Sequence, residues 1–293
     1  MKLLSIAVCS AVTLSLLSAS ATAQNAWGNY HWARKSNPFT LQVIDSVTSS
    51  WQPSLETALQ EWSYSAAIDM KVTSADDSLT TRQNCPIAAG KIRVCNYTYG
   101  TNGWLGLTSI GVDASGHVDR ARSRLNDSYS GSWALPTERN HTTCHELGHT
   151  LGLDHSSEDG SSQGTCMDYS TSVNSQWPAA IDYETLVKIY GHVDTYNSYS
   201  VIASTTTTTT TTPTTTTPTV TAPTTTTTSP TTTTGSAGKC TKGAKRTSCQ
   251  TAGFIINPEP PMGLKIGQTK KEQIWVARRE DGGIWVHHVH LKQ

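Results

Sequence analysis

The chain has 293 residues, with Lys+Arg and Asp+Glu balanced at 22 each, so no global charge draws it to nucleic acid or an acidic membrane surface. Only 36% of residues are hydrophobic and 15% are charged. The deficit comes largely from a late block of Thr and Pro, so a core has to be built from what precedes that block.

Residues 1–23 open with Lys2, run apolar from Leu3 to Leu17 and end in Ala21-Thr22-Ala23. This is the pattern of a cleavable secretory signal; Ser5, Ser10, Ser15 and Ser18 interrupt a segment already too short to anchor. No later stretch reaches membrane-spanning length, so an exported, extracellular, monomeric protein is expected. Export makes disulfides the default for the six cysteines beyond the signal, and the local pairs Cys85 with Cys95, Cys144 with Cys166 and Cys240 with Cys249 are preferred among fifteen pairings. Asn96, Asn126 and Asn140 stand in N-glycosylation sequons, which require exposed positions.

Residues 24–203 alternate between strand and helix patterns. Leu41 to Asp45 reads as a strand, and Leu55, Ala58, Leu59 and Trp62 recur at helical spacing behind Pro53. Period-two or apolar runs at Ile68–Val72, Ile92–Val94, Leu105–Val112 and Val118–Leu125 supply four more strands. Arg120, Arg122 and Arg124 share one face of the last run, expected to be solvated or an edge. Asp182 is placed to cap a helix whose Tyr183, Leu186, Val187 and Tyr190 share a face and which stops at Gly191.

Residues 204–235 are Thr broken by Pro at 213, 218, 223 and 230, an extended linker. Residues 236–293 carry ten basic and four acidic residues and read as a small separate basic module, dispensable for catalysis and suited to polyanionic glycans or cell wall. On a strand its His288 and His290 share one face and His287 the other; with no acid or thiol cluster beside them, all three read as solvated.

The chemistry concentrates in Cys144-His145-Glu146-Leu147-Gly148-His149-Thr150-Leu151-Gly152-Leu153-Asp154-His155. On a helix, His145 and His149 lie one above the other and can reach one tetrahedral metal. Glu146 points about 100° away, placed to contact a water on that metal as general base. Gly152 can take the left-handed conformation that turns the chain and returns His155 as third ligand, leaving a fourth position open. Cys144 is expected to bridge to Cys166 rather than act as nucleophile or ligand.

This motif resembles that of the metzincin clan of zinc endopeptidases, from His145 to His155 without substitution, and Cys166-Met167-Asp168-Tyr169 resembles its Met-turn. The wording around the histidines and Ser156 is similar to matrixins, whereas Tyr169, two residues after Met167, resembles astacins and serralysins. The resemblance covers roughly residues 41–192. It implies an α/β (α+β) zincin domain with a twisted, mixed five-stranded sheet, three main helices and an irregular C-terminal subdomain. It also implies one catalytic zinc, Met167 as an apolar floor beneath it and Tyr169 as a transition-state stabiliser.

Two departures stand out. The short stretch after the signal has no inhibitory cysteine. The histidines outside the motif, His31, His117, His141 and His192, are too few and too dispersed for a second structural zinc; calcium stays open. The implied activity is hydrolysis of protein or peptide substrates by zinc-bound water, with the 105–112 strand as the edge on which an extended peptide adds antiparallel. The competing expectation is a non-catalytic secreted binding protein, against which the intact Glu146 speaks.

Overall fold

The computed structural model describes residues 25–201 and 259–292. The signal, the Thr/Pro linker and the Cys240–Cys249 pair lie outside the described residues.

The strands form at the period-two and continuous apolar runs of the sequence: β1 (His31–Trp32), β2 (Phe39–Ser46), β3 (Ile68–Ala75), β4 (Ile92–Tyr97), β5 (Trp104–Val112) and β6 (His117–Asn126), of which β1 is a two-residue bridge to β6. β2 pairs in parallel with β3 and β4, β4 in parallel with β6, and β5 antiparallel with β6, giving the order β3-β2-β4-β6-β5. The short β1 pairs in parallel with the start of β6. The sheet is mixed, as expected from the sequence, but it does not stop at these five strands. Three longer helices accompany them: α1 (Gln52–Trp62), α3 (Pro136–Thr150) and α4 (Ala180–Ile189), with the short α2 (Leu79–Asn84) between β3 and β4.

α1 buries Leu55, Ala58, Leu59 and Trp62, the stripe its spacing announces. The Trp62 ring packs between α1 and α3, and its Nε1 donates to the Cys144 carbonyl at 3.0 Å. Asp182 does not cap α4 from outside. It lies inside the first turn and accepts from the Ala179 backbone N–H at 2.7 Å and from Asn25 Nδ2 at 2.9 Å, so the helix starts earlier than Asp182 suggests.

The described tail residues are not a separate module. β7 (Leu264–Gln268), β8 (Glu272–Arg278) and β9 (Ile284–Leu291) form an antiparallel meander, and β9 pairs antiparallel with β5 from Val112 and Ile284 to Trp104 and Leu291. The sheet therefore continues through β5 into β9, β8 and β7. The physical reason is reciprocal. The tail is too small for a core of its own, and β5, buried at every position, would otherwise present a long unpaired edge.

The arginine row also differs from expectation. β6 is an interior strand; Arg122 is buried, and Arg122 and Arg124 both reach Glu259 of the tail, at 2.6 and 2.9 Å. Two of the three sequons are not exposed. Asn96 is buried and bonded to Thr48, and Asn126 is buried with its amide donating to the carbonyls of Gly100 and Trp104. The half-buried Asn140 amide donates to Gln176.

Candidate active site

α3 carries the site because its C-terminal half is buried from His141 to Thr150, with α1 and the Met-turn packed against it. His145 and His149 present Nε2 atoms 3.1 Å apart. The helix ends at Thr150, and Gly152 takes φ +92°, where a Cβ would collide with the Tyr30 carbonyl. The turn brings His155 Nε2 to 3.2 Å from His145 Nε2 and 3.1 Å from His149 Nε2.

The opposite ring nitrogens fix the tautomers. His145 Nδ1 lies 2.7 Å from the Cys166 carbonyl and His149 Nδ1 2.9 Å from the Leu153 carbonyl, so each Nδ1 donates and each Nε2 turns a lone pair to the common centre. Burial pushes both imidazoles well below their ordinary pKa, which keeps them neutral. Burial also disfavours a charged His155, but Glu158 and Glu272 outweigh it and lift that group to about 9, so the position favours positive charge. A tetrahedral ion at about 2.0–2.1 Å from each nitrogen requires ligand atoms about 3.3 Å apart. The three histidines fit zinc.

Glu146 lies on the sheet side. Thr108 Oγ1 of β5 donates to its Oε2 at 2.6 Å, while Oε1 has no hydrogen-bond partner among the described residues. Burial lifts the carboxyl to about 8, with the Thr108 bond opposing the shift. Gly106, two residues before Thr108, approaches so closely that any Cβ there would strike the Glu146 carboxylate.

The Met-turn packs from the other side. A Cβ on Gly148 would collide with Met167 Sδ and the Trp62 ring, so the glycine lets the buried methionine lie against α3 between His145 and His149. The disulfide Cys144–Cys166 ties α3 to this turn, and Cys85–Cys95 joins the end of α2 to β4, both as expected. The Tyr169 ring lies 4.3 Å from that of His155 and 5.4 Å from that of His145. Its buried hydroxyl has no partner among the described residues, and burial raises its pKa well above the ordinary value, so it is a neutral donor.

The tail histidines are not solvated. His287, His288 and His290 are buried because β9 is covered on both faces. The parity read from the sequence holds: His287 turns to Ser109 Oγ and the Pro261 carbonyl, while His288 and His290 face His149 and His145. The His288 ring stacks on His149 at 4.0 Å, and the His290 ring lies 4.7 Å from His145, with Nδ1 3.8 Å from Glu146 Oε1. Glu272 of β8, also buried, contacts His288 Nδ1 and lies 3.3 Å from His155 Nδ1. Thr108, Gly106 and Glu272 carry no local sequence signal, since only the strand register brings them here.

Of the four histidines outside the motif that the sequence left dispersed, three are brought together: His31, His117 and His192 converge on Asp194, while the His141 ring stacks 5.6 Å from that of His145.

No family model and no curated protein matches the sequence. Among solved structures, the chain is similar to myroilysin at 18% identity and a TM-score of 0.33, covering 54% of this chain and 82% of that one. It is also similar to high choriolytic enzyme 1, a hatching enzyme zinc-protease from Oryzias latipes (medaka fish), at 16% identity and a TM-score of 0.26. That match covers 44% of this chain and spans 52% of the hatching enzyme's length. The chemistry of the site rests on the histidine and glutamate geometry itself.

Proposed function

We propose that the chain is a secreted zinc endopeptidase acting on extracellular proteins or peptides. The observation that carries this reading is the convergence of three histidine Nε2 atoms, 3.1–3.2 Å apart, beside a buried Glu146 carboxyl with one oxygen free of hydrogen bonds among the described residues. His145, His149 and His155 would hold zinc, which supplies a Lewis acid for the scissile carbonyl and acidifies a water. Glu146 takes the proton of the attacking water and passes it to the leaving amine, held in position by Thr108. Tyr169 is close enough to the histidine rings to donate its hydroxyl to the carbonyl oxygen as charge develops. Met167 shapes the floor and does no proton chemistry.

The test is zinc content together with hydrolysis of a short fluorogenic peptide. Glu146→Gln should retain zinc and lose at least about a thousandfold in kcat, as expected when only the base is removed. Chelation of the wild type should abolish turnover and zinc should restore it. Wild-type turnover in Glu146→Gln would overturn the assignment. A non-catalytic binding protein is the second reading, favoured by one observation: β9 lies on the edge where a substrate strand would pair. It requires that no form of the chain, with the tail in place or detached, cleaves peptide.

A further inference from the structure

The sequence offered one metal set; the fold assembles a second cluster with the same kind of chemistry. His31 comes from β1, His117 from the start of β6, and His192 and Asp194 from the segment after α4. His31 and His192 Nε2 are 3.2 Å apart, and Asp194 Oδ1 lies 3.6 Å from the first and 3.5 Å from the second. His117 Nε2 reaches the same oxygen at 3.4 Å. The ring centroids of His31 lie 4.7 and 4.8 Å from those of His117 and His192, the same spacing as the 4.6–4.9 Å within the catalytic triplet.

The supporting contacts aim these atoms inward. His31 Nδ1 is taken by the Asn29 carbonyl at 2.8 Å and His117 Nδ1 by Tyr196 Oη at 2.8 Å, leaving Nε2 free on each. Asp194 spends Oδ2 on Arg34, at 3.0 Å to its backbone N–H and 2.8 Å to its guanidinium, and keeps Oδ1 for the cluster. We propose that His31, His192 and Asp194, completed by His117, bind a structural divalent cation of the zinc class. It would pin the N-terminal segment to the chain that follows α4.

Metal content of the full chain after dialysis tests this, with cobalt substitution as a spectroscopic readout. Two equivalents are expected in the wild type. His145→Ala should keep one, Asp194→Asn should lose the other, and Asp194→Asn should lower the melting temperature of the zinc-loaded protein. One equivalent in the wild type and none in His145→Ala would overturn the proposal, and so would an unchanged two equivalents in Asp194→Asn. If Asp194→Asn fails to fold, the His145→Ala count alone decides.

A different observation carries a second inference, which rests on the peptidase reading. β9 runs antiparallel along β5, the geometry an extended substrate would adopt. It places His290 against Glu146 and His145, and β8 places Glu272 against His155. The tail is anchored by ion pairs: Arg279 to Asp119 at 2.8 and 2.9 Å, and Glu259 to Arg122 and Arg124. We infer that β8 and β9 form a built-in inhibitor that holds the site closed. The stretch 204–235, which joins the tail to the rest of the chain, is where one cut would free it.

The full-length chain is compared with its Glu259→Ala, Arg279→Ala double variant and with protein nicked between 204 and 235 and washed in high salt. Readouts are hydrolysis of a short peptide and binding of a zinc-directed hydroxamate. Both altered forms should gain at least about tenfold in each. Equal hydroxamate binding in all three forms would sink the inhibitor role. A gain in hydroxamate binding without hydrolysis would keep it and sink the peptidase reading instead.

Discussion

Glu146 shows how much one hydroxyl decides. Burial drives its carboxyl up, and the Thr108 bond is the largest opposing influence. Removing that bond with Thr108→Val withdraws stabilisation from the carboxylate, so its pKa rises and the acid limb of the pH–rate profile should move up by about one unit. A profile that stays in place would show that Thr108 does not tune the base. Gly106→Ala acts on the same side chain sterically: the added methyl displaces the carboxylate, and kcat should fall at least about a hundredfold while zinc content holds. The motif residues were legible because His145, Glu146, His149, Gly152, His155 and Met167 lie within one helix, one turn and the segment that closes under it. Thr108, Glu272 and Asp194 were not, because each acquires its role from a partner far along the chain, at a register no local pattern encodes.

At the scale of elements, α3 is strapped from two sides, by the Trp62 indole through the Cys144 carbonyl and by the disulfide from Cys144 to Cys166. The bridge closes a loop of 22 residues, worth about 3 kcal/mol in the chain-entropy account. Replacing both cysteines by Ala should therefore lower unfolding free energy by about that amount and weaken zinc retention. Denaturant unfolding with an unchanged midpoint would contradict it. The mixed α/β character and the apolar stripe of α1 were readable from period two and period 3.6, since these residues share one core. β9 was harder to place. Its alternation showed which histidines share a face but not that both faces are covered, and an isolated reading takes such residues to water.

For the molecule as a whole, the charge asymmetry between the tail and the rest takes on a structural meaning. Part of the tail's positive charge is spent on Asp119 through Arg279, and the acidic Glu259 pairs in return with Arg122 and Arg124 of β6. Neutralising this exchange with Glu259→Gln should loosen the tail, measured as faster hydrogen exchange in β9 with the β2 to β4 amides unchanged. Uniform exchange across both regions would mean that the sheet opens only as one body.

The pairing of β5 with β9 also bears on the order in which the sheet can close. The partners are separated by well over a hundred residues, so β5 gains its neighbour late, after local helices and nearer strands have formed. Until then, and again after the tail is cut away, a nine-residue apolar strand stands with a row of unsatisfied amides and carbonyls. Whatever accepts a substrate strand along that row can equally accept a second copy of itself, so protein stripped of its tail should self-associate with rising concentration unless peptide is present to occupy the edge.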